Sequence, residues 1–292
     1  MPLALVGAVL PLQSLAQEVL VPNRRHDTSV FSVRVDDVRG ANLTGGGVNY
    51  GKSRTMTVDL DVLTPVNNRG PILWDVGFGW KRMEFAYHVE SGNPGALQAV
   101  KVPIGASWEL GEVTTLGVQI QPGVYSDSYD ISLGDVNVPV GIRLFHGHES
   151  DLMWMVGLQA NAWHEFPVIP DIGVRWRFWY DFVLDARLPN PRLEYELSDR
   201  WTTFAGFEWL GGAYRVGRNN VASGGLPGTD DSTLTYRDQR INAGFRFAWD
   251  DESYVSLSAG YSLGRRFRYS RGGQLLKAGG ALFVQLGLHL EW

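Results

Sequence analysis

The C-terminal stretch from Ala281 to Trp292 reads ALFVQLGLHLEW. Leu282, Val284, Leu286, Leu288, Leu290 and Trp292 share one parity, whereas Gln285, Gly287, His289 and Glu291 share the other. Successive side chains of a strand point to opposite faces, so this is a strand with one wholly apolar face. A soluble sheet packed on a core would show the same alternation. The decision therefore rests on whether the rest of the chain repeats it, and with what on the second face.

The chain does repeat it. Phe31, Val33 and Val35 alternate with Ser32, Arg34 and Asp36, and Met56, Val58, Leu60 and Val62 with Thr57, Asp59 and Asp61. Ile72, Trp74, Val76, Phe78 and Trp80 stand opposite Asp75, Gly77, Gly79 and Lys81. The segment Val100 to Gly105 (VKVPIG) is echoed by Val136 to Gly141 (VNVPVG), with Leu116, Val118 and Ile120 between them. Further runs follow at Leu152 to Leu158, Ile172 to Trp176, Phe182 to Ala186, Leu193 to Leu197, Trp201 to Trp209, Ile241 to Trp249 and Val255 to Leu263. The Gly-rich Ala41 to Lys52 reads as a loop. Pro189 and Pro191 cannot donate to a ladder and mark a break.

The second face carries Gly, Ser, Asn, Gln, Asp and Arg on nearly every run. A soluble barrel fills its interior with its bulky apolar residues; here those residues are left to face lipid, and the polar face encloses a wet lumen. Trp201 and Trp209 share a parity eight positions apart. That is roughly 27 Å along a strand, and about 20 Å along the membrane normal after tilting, near the ~25 Å apolar band and its aromatic girdles. Short turns follow the runs ending at Val66, Leu110, Phe145, Ser198 and Trp249, and longer connections begin at Ala41, Ser91, Ser126, Arg218 and Gly272. The expected fold is all-β: a transmembrane antiparallel up-and-down β-barrel of about 12 to 14 strands, the lower figure applying if the Pro-flanked pair fuses.

The closing strand, with its apolar parity and final Trp292, resembles the C-terminal recognition strand of bacterial outer-membrane β-barrel proteins. The resemblance implies that Leu286, Leu288, Leu290 and Trp292 are read by the barrel-insertion machinery, that this strand pairs with the first, and that the chain lies in the lipid of a Gram-negative-type outer membrane. Met1 to Leu12 is apolar and is followed by Gln13-Ser14-Leu15-Ala16. This reads as a signal peptide over residues 1–16, lacking the usual basic start, before a single barrel domain over 17–292.

Composition narrows the function. The 292 residues contain no cysteine, which removes disulfides and thiolate metal sites, and a net charge of −5 argues against a nucleic-acid partner. No stretch supplies the ~20 consecutive apolar residues of a helical span. His146 and His148 stand beside Glu149 and Asp151, but a turn of that composition reads as solvated. His88 and His164 lack a nucleophile and an acid at useful spacing, and His289 reads as a lumen hydrogen-bonder. No catalytic residue, metal or cofactor is expected. The acidic loops Asp127 to Asp135 and Asp230-Asp231 lack the ordered spacing of a calcium loop.

The functional signal lies in the charges that parity turns inward. They are Asp59, Asp61, Asp75, Lys101, Glu109, Arg143, Arg175, Arg177, Arg187, Arg192, Glu194, Glu196, Glu208, Arg246, Arg266 and Arg268. Buried charges must be paired or hydrated. The leading expectation is a pore or passive channel for small polar solutes. The alternative is a closed structural or surface-binding barrel, its lumen filled by Arg–acid pairs and its loops doing the work. An outer-membrane enzyme ranks third.

Overall fold

The computed structural model describes residues 28–67, 71–87, 93–127, 131–147, 151–217, 228–250 and 252–292. The expected signal peptide, His88, His148 and Glu149 lie outside them. Eighteen strand segments form one sheet. They are β1 (Val30–Gly45), β2 (Val48–Asn67), β3 (Ile72–Tyr87), β4 (Ala96–Lys101), β5 (Ile104–Gly111), β6 (Thr114–Ile120), β7 (Gly123–Ser126), β8 (Val136–Asn137) and β9 (Val140–His146). After these come β10 (Leu152–Ala160), β11 (Val168–Trp179), β12 (Phe182–Asp185), β13 (Arg192–Glu196), β14 (Trp201–Arg215), β15 (Thr233–Ala248), β16 (Tyr254–Tyr269), β17 (Leu275–Ala278) and β18 (Ala281–Glu291).

Four passes are split in two where the ladder cannot run through: β4 from β5 at Val102-Pro103, β6 from β7 at Gln121-Pro122, β8 from β9 at Val138-Pro139, and β17 from β18 at Gly279-Gly280. The eighteen segments thus make fourteen passes, each antiparallel to the next. The sheet closes on itself, because β1 pairs with β18 from Val30↔Glu291 to Val38↔Phe283. Both ends of the described chain meet there, Ser29 and Trp292 exchanging backbone hydrogen bonds of 2.8 and 3.1 Å. That end is called terminal below, and the opposite end distal.

Side-chain parity follows the sequence pattern. Phe245, Leu257, Leu286 and Val35 form one cross-strand row on the outer face. Val76, Phe78, Ile172, Leu257, Leu282, Val284 and Leu286 are all exposed, while Ser258, Asp59 and Thr57 on the opposite parity are buried. The expected all-β transmembrane barrel is therefore the observed fold. Its outer surface is the apolar one, as lipid demands, and every pass leaves its backbone groups to a neighbouring strand.

One expectation is corrected. Ala41 to Lys52 is not a loop: β1 and β2 run through it and turn on Gly46 and Gly47, whose φ angles are +56° and +82°. Two consecutive positive φ values are what a two-residue hairpin needs, so the glycines make a tight turn rather than a flexible span.

The barrel is uneven in height. β1, β2, β3, β14, β15 and β16 run 15 to 20 residues, whereas β9 and β10 run 7 and 9. At ~3.3 Å per residue the short passes barely cross a ~25 Å apolar band, and the tall ones continue well past it. In that distal extension the end of β14 leaves β13 and meets β7, in parallel, at Arg215↔Ser126. β14 and β7 belong to opposite sides of the fourteen-pass ring, so their meeting draws the tall strands into a narrower closed cylinder.

Replacing Leu257, mid-belt on the outer face, by Arg should cost about 2–4 kcal/mol of folding stability in lipid bilayers. Urea titration of the reconstituted barrel measures it, and a loss well under 1 kcal/mol would contradict the lipid-facing assignment.

Candidate functional site: the barrel interior

Inward charges of neighbouring strands are held a few ångströms apart, and they pair. Near the terminal end Arg177 grips Glu196 through two bonds of 2.7 and 2.8 Å. Glu194 receives Arg192 at 2.5 Å and Arg246 at 3.3 Å, and Arg187 bonds Asp185 at 2.5 Å. Further in, Arg34 of β1 reaches Asp59 at 3.2 Å and Glu208 of β14 at 3.0 Å. Because β15, β16 and β18 separate β14 from β1 in the sheet, that side chain spans part of the lumen. Lys81 lies 3.4 Å from Asp59, Lys101 3.0 Å from Asp61, and Arg143 2.5 Å from Asp171, which also accepts from Gln159 at 3.0 Å.

The next layer is centred on Arg240. It bonds Asp238 at 2.7 Å and Asp36 at 2.8 Å, lies 4.7 Å over the Phe283 ring, and leaves Asp238 to accept from Ser262 at 2.6 Å. Above it Arg265 crosses from β16 to β2, where it donates to Ser53 O at 2.8 Å and to Thr55 Oγ1. A pore filled with water would leave its wall charges accessible. Lys81, Lys101, Arg143, Arg240 and Arg265 are instead at most 2% exposed. The interior at these levels is a filled salt-bridge network.

Beyond Arg265 the inner face changes character. Leu43, Met83, Phe85, Leu97, Tyr125, Tyr214, Tyr236, Phe267, Tyr269 and Leu276 form one buried apolar cluster inside the distal extension. Phe85, Phe267 and Tyr236 meet ring to ring at centroid distances of 5.1 to 5.6 Å. The Tyr269 hydroxyl donates to Asn93 Oδ1 at 2.6 Å. Tyr214 folds back over Gly212, where a Cβ would stand 2.7 Å from its ring, so the absent side chain makes room for the plug. At the seam beside this cluster Asp127 N donates to Arg215 O at 3.0 Å, and Gly217 N to the Asp127 carboxylate at 3.1 Å.

The expected wet lumen, to which a lumen filled by Arg–acid pairs was the alternative, is corrected by this filling of ion pairs and apolar seal. The apolar inner-face residues lie beyond the runs that fix the belt, where parity continues but the residue type switches. Arg266 and Arg268 are corrected too. The pairs Gln239↔Gly264 and Arg240↔Ser262 leave Leu263 as an extra residue, and this bulge inverts the parity of the rest of β16. Arg265, Phe267 and Tyr269 turn inward, and Arg266 and Arg268 are exposed on the outer face. Glu109 is exposed at the terminal rim of β5 rather than on the buried wall. Asp59, Asp61, Lys101, Arg143, Arg187, Arg192, Glu194, Glu208 and Arg246 join the network, while Arg177 and Glu196 pair at its half-open rim. Asp75 and Arg175 are half-buried on the same inner parity. Arg34, Asp36 and Lys81, placed on the polar parity by the sequence but not counted among the inward charges, join the network, as do Asp171, Asp238 and Arg240. Parity marked each one, since each alternates with an apolar residue of the belt or extends such a run.

The connection 161–167 braces the distal extension. Glu165 binds Arg237 Nη2 at 2.5 Å and also Arg268, both on outer faces, while the Trp163 ring lies 6.5 Å from that of Tyr125. Between them His164 is buried, its Nδ1 3.2 Å from Phe166 N. Of the remaining histidines, His146 meets Thr114 Oγ1 at 2.8 Å and His289 meets Ser32 Oγ at 2.9 Å. Among the described residues no three His, Asp or Glu side chains converge as a metal ion would require.

Closed antiparallel sheet, apolar exterior and charged interior define a transmembrane β-barrel. The chain belongs to the family described as "Domain of unknown function (DUF6268)", whose model matches residues 53–274. No curated protein matches it. Solved structures similar to the chain include the COG4313 outer membrane channel from Pseudomonas putida F1, at 8% identity and a TM-score of 0.46 over 90% of this chain and 95% of that one. Another is the TodX monoaromatic hydrocarbon channel deltaS2 mutant, at 12% identity and 0.44 over 91% and 90%. The KdgM porin follows at 8% and 0.30 over 88% and 98%.

Asp171→Ala should remove the carboxylate that Arg143 binds at 2.5 Å in the buried interior and cost about 3–5 kcal/mol in chemical unfolding. A loss under 1 kcal/mol would show that water reaches Arg143. The His164 imidazole is held below its usual range chiefly by burial, and the Arg237 charge acts in the same direction, against its contact with Phe166 and the Glu165 charge. The docked connection therefore binds fewer protons than the free one. Its stability is complete above the usual histidine value of about 6.5 and is lost as pH falls below it. Amide hydrogen exchange over 161–167 should accelerate on acidification in the wild type and be pH-flat, apart from intrinsic exchange, in His164→Gln.

Proposed function

We propose that the protein is an outer-membrane barrel that passes small polar solutes and is closed in the conformation described here. One observation supports it above the others. The inner wall is charged from the terminal rim to Arg265, and an apolar seal belonging to the distal extension alone stands beyond it. A barrel of eight strands is filled by its own side chains; fourteen passes make a wider ring, filled here by the salt-bridge network along the wall and by an inward fold at the distal end. That fold is joined at the β7–β14 seam, where Arg215 pairs with Ser126 and accepts from Asp127 N. Parting the seam would join the charged interior to the distal side.

Membrane placement is part of the same reading. Trp74, Trp154, Trp176, Trp201, Trp249 and Trp292 are all exposed towards the terminal end, where indole rings favour a membrane–water interface. Export by a signal peptide over 1–16, and recognition of Leu286, Leu288, Leu290 and Trp292 by insertion machinery, complete the path to the outer membrane. The reading involves no covalent chemistry and no cofactor.

A second reading has its own support. The interior ion pairs are buried, as in a barrel that never opens and acts through its loops. Planar-bilayer recording separates the two. Wild type should show rare openings, and Tyr125→Ala combined with Tyr214→Ala should raise the open fraction at least about tenfold, the equivalent of some 1.4 kcal/mol of lost seal. Silence in both proteins, with folding verified by heat-shifted gel migration, would leave the closed barrel.

A further inference from the structure

The outer face carries one feature that passage through the interior does not use. A groove of about 670 Å³ runs across β15, β16, β18 and β1. Its floor is the cross-strand row Ala243, Ala259, Val284 and Asp37, and Ile241, Tyr261 and Leu282 form the row distal to it. On the terminal side the row Phe245, Leu257 and Leu286 rises again. Two alanines between bulkier rows leave a depression in a surface that faces hydrocarbon.

One cation lines the distal edge of the groove, and others stand about four residues beyond it along the strands. Arg39 lines it, at the bulge where β1 pairing jumps from Val38 to Ala41. Its neighbour Asp37 already receives two bonds from Arg54, at 2.7 and 2.6 Å. On the next strands Arg237, Arg266 and Lys277 stand directly opposite one another across β15, β16 and β17. Like charges at directly opposite positions destabilise a sheet. Glu165 answers Arg237 and Arg268, and no ion pair within 4 Å reaches Arg266, Lys277 or Arg39 among the described residues. An excess of positive charge above an apolar channel matches one kind of molecule, anionic at one end and hydrocarbon at the other.

We propose that this groove binds a phosphorylated lipid of the surrounding bilayer, its acyl chain over Ala243 and Ala259 and its phosphate towards Arg39, Arg266 and Lys277. The site needs the belt to face lipid and is indifferent to whether the barrel conducts. Native mass spectrometry of the full chain in neutral detergent tests it with dioleoyl phosphatidylglycerol, dioleoyl phosphatidylcholine and inorganic phosphate. The anionic lipid should be retained about fivefold or more over the zwitterionic one, the factor expected of even one cation near an anionic headgroup. The combined Arg39→Gln, Arg266→Gln and Lys277→Gln variant should remove that preference, and Ala243→Leu with Ala259→Leu should lower retention of both lipids. All three cations are exposed, so the charge variant folds, as heat-shifted migration verifies. Equal retention of the two lipids by wild type overturns the proposal. So does a preference that survives the triple variant, or displacement of the anionic lipid by inorganic phosphate, which would indicate a bare anion site.

Discussion

Hydrocarbon offers no hydrogen-bond partner to a peptide group, and each unsatisfied group costs several kcal/mol there. A sheet can enter it only by closing on itself, which here means the pairing of β1 with β18 along Val30 to Val38. Much of the remaining architecture follows from that closure. The apolar parity must turn outward, and charges of the opposite parity must turn inward, where they find partners among themselves or face a large desolvation cost. Arg34, Arg143 and Arg240 each bind carboxylates from other strands, so the inner network ties together strands that the backbone ladder does not join directly.

The same closure explains why the interior has two chemistries. Where all fourteen passes contribute, the ring is wide and its wall is polar. Where only the tall strands continue, the ring narrows, because β14 turns across to β7. The reduced circumference brings Phe85, Tyr236 and Phe267 into ring contact. Aromatic side chains close that space with little loss of rotamer freedom, and their few polar tips find partners such as Asn93. Network and seal thus occupy different heights of one barrel, the first locked by charge and the second by packing.

Where sequence reading failed, a local irregularity was responsible. The run Ile241 to Trp249 is unbroken, and every residue in it faces as its parity requires. Arg266 and Arg268 lie beyond an inserted residue, Leu263, and one insertion reverses every side chain after it. Ala41 to Lys52 was misjudged for a different reason: glycines that make a tight hairpin turn also occur in loops, and composition does not separate the two. Asp238 and Arg240 share the parity of Asn242 and Arg246, so their inward direction was readable once the run was extended.

By itself the sequence determined the period and the sign of each face. Those are properties of residues close in the chain, and together they specify a lipid-facing antiparallel barrel of about fourteen passes. Tertiary structure alone decided whether the lumen is open. That depends on how far apart strands from opposite walls stand at each height, and on which distant carboxylate each cation reaches. Arg34 and Glu208 are 174 positions apart, and no local pattern encodes the distance between them. The seal is a fact of the same kind, since Tyr125 and Tyr214 plug the barrel only because β7 and β14 are drawn together across it.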